Sequence, residues 1–333
     1  MYAGESCNIF PFLAAYASSM MLSKERGEFG TRASRPAIID RFGPGRPVPI
    51  ERSQERKRRN PMIYFAVIVA AMAVVVYLFY GTVNAEVTET KVFSDRVNGE
   101  LRIVHITDLH GRTRFWTGTV AEIVESLRPD IVCITGDLFN RLDQLPEVMR
   151  ELLRIGCPYT FFVPGNHERE EKRGFRRRKF TEDEFVRVLR DIGIRHIRVL
   201  ANEGELIEVK NSRVYVYGFD NSLVGRERLN PPYENVDGAF RLTLAHSPSI
   251  VRWMSKRSIG YDLLLAGHTH GGQIRLFGRP IVRFGNYHTG MKEMEPGRSM
   301  YINRGLGTIH LPFRFGCRPE VALIRVAGTG GAK

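Results

Sequence analysis

One stretch of this chain is apolar on every face, and the rest alternates. Residues 62–80 (MIYFAVIVAAMAVVVYLFY) run 19 positions without a charge, glycine or proline, enough to cross a bilayer as a helix. A buried core helix rarely stays apolar all round for five turns. Beyond Glu86 short apolar runs and helical periods take turns. Strands are expected at 101–107, 130–135, 159–163, 196–200, 206–209, 214–219, 240–245, 261–266, 273–277, 300–303 and 321–326. Helical spacing is expected at 119–127, 146–155, 181–192 and 249–255. The front half therefore reads as βα units on a parallel sheet, and the back half is richer in strands: an α/β domain over residues 87–326, with a flexible tail at 327–333.

The segment ahead of the apolar stretch has mixed polarity, several Gly and Pro, and no sustained period. Residues 1–61 read as a disordered N-terminal segment. It ends in a basic cluster, Arg52 with Arg56, Lys57, Arg58 and Arg59, whereas Glu86 and Glu89 follow the span. By the positive-inside rule the N-terminus stays cytoplasmic and the domain lies on the outer face of the plasma membrane. A signal peptide is the rival reading: Val83-Asn84-Ala85 resembles a small-residue cleavage site, and Arg58-Arg59 a degenerate twin-arginine signal. The apolar run is longer than a usual signal core, which favours a retained anchor. Met62 offers an alternative start, in which case residues 1–61 are not translated and the orientation reading weakens.

Net charge changes the picture only in part. The formal charge of +13 points to an anionic partner, substrate or surface without choosing among them. Much of the excess lies in the N-terminal segment and in residues 169–179 (REEKRGFRRRK), read as a solvated loop or, more sharply, a basic lip beside the site with Phe175 and Phe180 between its charges. No nucleic-acid module is recognisable. The four cysteines, Cys7, Cys133, Cys157 and Cys317, make no metal or disulfide pattern.

Candidate chemistry sits where the expected strands end. Asp108-Leu109-His110, Gly136-Asp137, Gly165-Asn166-His167-Glu168, Ala245-His246-Ser247 and Gly267-His268-Thr269-His270 each follow an apolar run, the place where open α/β sheets carry ligand sites. Carboxylate, imidazole and amide oxygen together suit Mn, Fe or Zn. Aspartate two residues from histidine offers both side chains to one ion, and Asp137 is placed to bridge two. A pair of ions about 3.5–4 Å apart is the clamp used for in-line displacement at phosphorus. Singly, each motif reads as an ordinary turn or a structural histidine. Five of the nine histidines fall in these motifs. His105, inside a strand, reads as buried and structural.

The order D-x-H, GD, GNH[DE], H, GHxH resembles the signature of the calcineurin-like metallophosphoesterases. The tail Asn303-Arg304-Gly305-Leu306-Gly307 with LPFRFGCRPE is similar to a small membrane-associated or exported bacterial branch of it. The resemblance implies a four-layer αββα sandwich preceded by one transmembrane helix, and a phosphoric ester hydrolase (phosphodiesterase or phosphatase). It implies that Asp108, His110 and His270 hold the first of two divalent ions (Mn, Fe or Zn) and Asn166, His246 and His268 the second, with Asp137 between them. A hydroxide would attack phosphorus, His167 would serve as acid for the leaving oxygen, Glu168 would orient a ligand, and Arg304 would touch the phosphate. The expected partners are the membrane and a phosphoester, envelope-derived or lipid-linked. Two alternatives stay open: a pyrophosphatase of the UDP-2,3-diacylglucosamine kind, and a non-catalytic metal-binding scaffold. Natural substrate, monoester or diester preference and oligomeric state are beyond the sequence.

Overall fold

A computed structural model describes residues 60–174, 176–220, 223–230, 236–281 and 288–329. The expected disordered segment up to Arg59, Phe175 of the basic stretch, and residues 330–333 of the expected tail lie outside the described residues. The described chain opens with helix α1, Pro61–Val83. Asn60 caps it, its side chain accepting from the Met62 amide at 3.1 Å, and Pro61 sits at the first helical position, where its missing N–H costs nothing. At 23 residues the helix is about 35 Å long, longer than the hydrocarbon core of a bilayer. Its apolar side chains are exposed along its length, and only Gly81 and Thr82 are buried.

Two six-stranded sheets follow. The first comprises β1 Glu86–Ser94, β2 Glu100–Ile106, β3 Ile131–Ile134, β4 Thr160–Phe162, β5 Ile197–Val199 and, from the far end of the chain, β12 Glu320–Gly328. Its order is β1-β12-β2-β3-β4-β5. The second comprises β6 Glu203–Val209, β7 Ser212–Gly218, β8 Phe240–Leu244, β9 Leu263–Ala266, β10 Gly290–Glu295 and β11 Arg298–Ile302, in the order β6-β7-β8-β9-β11-β10. Neighbours from β2 to β5 and from β7 through β9 to β11 are parallel, while the edge strands β6 and β10 are antiparallel.

Strand alternation builds the layers. Leu101, Ile103, Ile131, Cys133 and Phe161 face Val214, Val216, Leu242 and Leu263 in a core between the sheets. The alternate residues Val104, Ile106, Val132 and Ile134 pack outward on helices α2 Val120–Ser126, α3 Leu145–Leu152 and α4 Glu182–Ile192. On the other side Tyr215, Tyr217, Leu264 and Met300 pack on α5, Ile250–Ser255. The result is the expected four-layer αββα sandwich. Truncating any of these fully buried aliphatics to alanine would cost about 2–5 kcal/mol. Helices α2 and α4 each begin with a capping box, Thr119 with Glu122 and Thr181 with Glu184, which fixes where they start.

Five expectations need correction. Strand β1 was not foreseen: its residues alternate only between half-buried and exposed, so its period is faint, yet it lies parallel to β12 over its whole length. Strand β10 was missed because its half-buried and exposed residues follow no alternation at all. The strand expected at 273–277 shrinks to a small hairpin, Arg275–Leu276 with Arg279–Pro280. The loop expected at 169–179 is an antiparallel ribbon, Glu170–Arg173 with Arg176–Lys179, held by Arg178 donating to both Glu171 and Glu184. The last strand also runs to Gly328, past the expected domain end.

Candidate metal centre

Every loop expected to carry chemistry leaves the carboxyl end of a parallel strand, and the two sheets bring these ends together. Asp108 and His110 follow β2, Asp137 follows β3, Asn166 and His167 follow β4, His246 follows β8, and His268 and His270 follow β9. The loops pack backbone against backbone. A Cβ on Gly136 (φ 83°) would meet the Gly165 amide nitrogen at 2.4 Å, and one on Gly165 would meet Asp137 Oδ1 at 2.3 Å. Only glycine fits at either place.

The side chains form two main groups, and a third set, His110, Asp137 and His167, links them through Asp137. In one, Asp108, His110 and His270 offer ligand atoms within 4.8 Å of one another. His270 Nε2 lies 3.2 Å from Asp108 Oδ1 and 3.1 Å from His110 Nε2. In the other, Asp137, His246 and His268 do the same. His246 Nε2 lies 3.3 Å from Asp137 Oδ2 and 3.0 Å from His268 Nδ1. Asp137 Oδ2 is also 3.8 Å from His110 Nε2, so this one oxygen stands between the groups. Asn166 brings a buried Oδ1 with no hydrogen-bond partner, and Asp108 Oδ1 likewise lacks one of good geometry.

This arrangement fits a pair of cations. Two imidazole pairs present ring nitrogens to each other at about hydrogen-bond distance, a geometry in which lone pairs collide unless a proton or a metal sits between them. His246 Nδ1 donates to the Thr135 carbonyl at 2.7 Å, which leaves Nε2 as the ligand atom. The backbone is strained to match. Asp108, His110, Asp137, His268 and His270 have φ between 48° and 68°, the left-handed region that costs side-chain-bearing residues of order 1 kcal/mol or more each and clusters at functional sites.

Burial and neighbours set the charge states. Burial opposes ionisation of Asp108 and Asp137, but the histidines around them outweigh it and hold both below the usual carboxylate range. Burial, helped by neighbouring imidazoles, keeps His110 well below its ordinary value and lowers His268 to about 4. His246 goes the other way: burial is outweighed by Asp137 and Asp108, and it rises to about 10. Anionic carboxylates and neutral imidazoles are the forms that hold metal, so a cation taken up at His246 would displace a proton from it.

Supporting residues hold this set in place. Glu168 accepts from the amides of Asp137, Leu138 and Gly165 at 2.7–2.9 Å, tying two ligand loops together. Burial and the nearby Asp137 raise its pKa to about 7. His167 lies with its ring edge-on to His110, centroids 4.7 Å apart, its amide donating to Asp137 Oδ1 at 2.8 Å. Its Nδ1 is buried with no partner, and burial lowers its pKa. His105 is fully buried with Nε2 2.8 Å from Thr135 Oγ1, the structural place expected for it.

Arg304 is elsewhere. Its guanidinium is taken up by Glu320 at 3.2 Å and Glu86 at 3.0 Å, which ties β1 and β12 to the loop after β11 and argues against the expected phosphate contact. Sequence reasoning passed over two residues. Arg314 is fully buried: it donates to the carbonyls of Arg304, Gly305 and Gly307 and comes within 3.4 Å of His270 Nδ1. His310 (φ 57°) stands exposed in a loop clamped by Gln273, whose side chain bonds Ile309 and Leu311. Partial burial lowers the His310 pKa, and the charges of Arg177, Lys172, His270 and His167 add to this.

Comparison with known proteins points the same way. The family model described as calcineurin-like phosphoesterase matches residues 101–272. The chain is 27% identical over 280 residues, 78% of its length and 99% of the relative's, to the uncharacterised metallophosphoesterase YkoQ of Bacillus subtilis. It is 29% identical to the phosphodiesterase YaeI of Escherichia coli, over 68% of this chain and 82% of that one. It is 25% identical to a transmembrane protein with a metallophosphoesterase domain from Danio rerio, over 77% of this chain and 62% of that one.

Proposed function

Since the chain belongs to the calcineurin-like phosphoesterase family, we propose that it is a phosphodiester or phosphomonoester hydrolase working with two divalent ions. Asp108, His110 and His270 would hold one, and Asn166, His246 and His268 the other, with Asp137 placed to serve both. The observation that carries this reading is the facing of the imidazole pairs across Asp108 and Asp137. When bound, the ions supply Lewis acidity to the phosphoryl oxygens and acidify a water. The chain's own groups do the rest. Asp137 stays anionic between the two histidine pairs and fixes their separation. Glu168 holds the loops that carry Asp137 and Asn166, so donor atoms are preset rather than gathered on binding. His167, beside His110, gives a proton to the departing oxygen when its ring is protonated.

The membrane is the other half of the proposal. Helix α1 serves as a retained anchor rather than a cleaved leader, because its last turn is bonded to the domain: Thr82 Oγ1 accepts from the Arg314 amide at 2.8 Å and the Val83 carbonyl accepts from the Trp116 amide at 2.7 Å. With the basic cluster ahead of the span and acidic residues after it, the domain lies on the non-cytoplasmic face, where an envelope or lipid-linked phosphoester is the substrate at hand. Purified full-length protein supplied with Mn²⁺ should hydrolyse an aryl phosphodiester or monoester. The Asp137→Asn variant should lose at least about a thousandfold in turnover along with its tightly held metal. Wild-type-like turnover in that variant would refute the dinuclear assignment. A periplasmic-type reporter fused after Lys333 that is silent would refute the orientation.

A further inference from the structure

The exit of α1 and the metal centre are built from the same loops. The loop after β2 carries His110, then Arg112, which donates to the Thr82 carbonyl at 3.1 Å, then Trp116, bonded to the Val83 carbonyl. The segment after β11 carries Arg314, whose amide holds Thr82 and whose guanidinium reaches His270. One arginine side chain therefore separates the helix end from a metal-ligand candidate.

The neighbouring surface is apolar where it has no fold-based reason to be. The Phe315 ring packs on Tyr77 of the helix, centroids 5.2 Å apart. Tyr77 lies about 10 Å along the axis before the helix end, so Phe315 stands at the boundary between hydrocarbon and headgroups when α1 spans the bilayer. Phe315 pairs with the hairpin Arg275–Leu276/Arg279–Pro280, accepting from the Arg275 amide at 2.8 Å. That hairpin holds out Phe277, 94% exposed, with Leu276 and Ile281 beside it. Trp116 at the helix exit is 74% exposed, and Leu311 is also exposed. Arg275, Arg279 and Arg318 stand among them, Arg318 lying over the Tyr80 ring at 5.7 Å. Aromatic side chains interleaved with arginines at the end of a span are the composition of a membrane–water interface.

We propose that this rim, formed by Trp116, Leu276, Phe277, Ile281 and Leu311, seats in the headgroup layer of the membrane that α1 spans, so that the metal centre acts on phosphoesters presented at that same surface. The proposal rests on reading α1 as a retained span. It names the bilayer as the occupant because the patch is continuous with the helix that enters it.

Tryptophan emission tests it without calling on catalysis. The chain has two tryptophans: Trp116, and Trp253, whose ring packs on Phe219 at 5.6 Å. Full-length Trp253→Phe protein is reconstituted in phosphatidylcholine–phosphatidylglycerol vesicles whose phosphatidylcholine is brominated near the headgroup end of its chains. Trp116 should lose roughly half its emission relative to unbrominated vesicles. A Phe277→Trp reporter in a chain with Trp116 and Trp253 both changed to Phe should do the same. Trp253 alone, in Trp116→Phe protein, should keep its emission. Unquenched emission at 116 and 277, or equal quenching at 253, overturns the proposal. Quenching as expected with no hydrolysis of any phosphoester would leave the seating in place and overturn the enzymatic reading alone.

Discussion

The candidate metal centre draws on two regions that work by different means. The five loops at the strand ends contribute side-chain atoms: carboxylates, imidazoles and an amide oxygen brought within a few ångströms. The segment 303–318 and the end of α1 contribute main chain, a hydroxyl, an asparagine amide and the Arg314 guanidinium. Asn303 donates to the His105 carbonyl at 2.8 Å. Arg314 meets a set of carbonyls and, among the described residues, no carboxylate. The first region decides what the site binds, and the second decides whether the first keeps its shape. Changes in the two should therefore fail in different measurements.

The largest effect belongs to the first region. His167→Ala should lower turnover about a thousandfold while both ions remain, as read by metal analysis. Loss of metal with turnover would move His167 from proton donor to ligand. In the second region, Arg314→Met should leave buried carbonyls unpaired and destabilise the fold by about 3 kcal/mol, measured by chemical denaturation. Arg314→Lys should not restore this, because an ammonium cannot span the same carbonyls; full rescue would show that charge alone matters there.

His105 offers a finer comparison, lying between the two regions. Burial lowers its pKa from 6.5 to about 4. As pH falls between these values the unfolded chain takes up a proton that the folded chain refuses. Stability is therefore full above about pH 6.5 and falls toward pH 4, by about 3 kcal/mol from this group. His105→Gln should flatten that part of the stability–pH curve in chelator-treated protein; an unchanged slope would mean that the ring is charged inside the fold. The smallest effect should come from Thr82→Val. It removes the hydrogen bond from the Arg314 amide and the one the hydroxyl donates to the Leu78 carbonyl, together worth about 1–2 kcal/mol, and should lower the melting temperature slightly with turnover on a soluble ester unchanged.

The same division explains what the sequence revealed. Asp108, His110, Asp137, Asn166, His246, His268 and His270 stood out because coordination chemistry admits few residue types and strand ends position them. The parallel core strands were legible because burial on both faces makes apolar runs. Strand β1 was not, since its alternation is faint and its partner β12 lies at the opposite end of the chain. Arg314 stayed hidden because its partners are backbone carbonyls, which leave no mark in a sequence. Arg304 shows the converse error: an arginine beside a motif invites a phosphate, whereas Glu320 and Glu86 had already claimed it.

The left-handed backbone at Asp108, His110, Asp137, His268 and His270 bears on how such a chain ages. Glycine at any of these positions relaxes a local torsional penalty, so loss of a donor atom is partly rewarded by an easier conformation. Set against that relief, glycine at 108 or 137 would leave the amides of His268 or His167 without the carboxylate that accepts from them, a cost of about 1–3 kcal/mol. The torsional cost at these five positions is therefore bound up with the contacts their side chains make, and neither can be altered without the other.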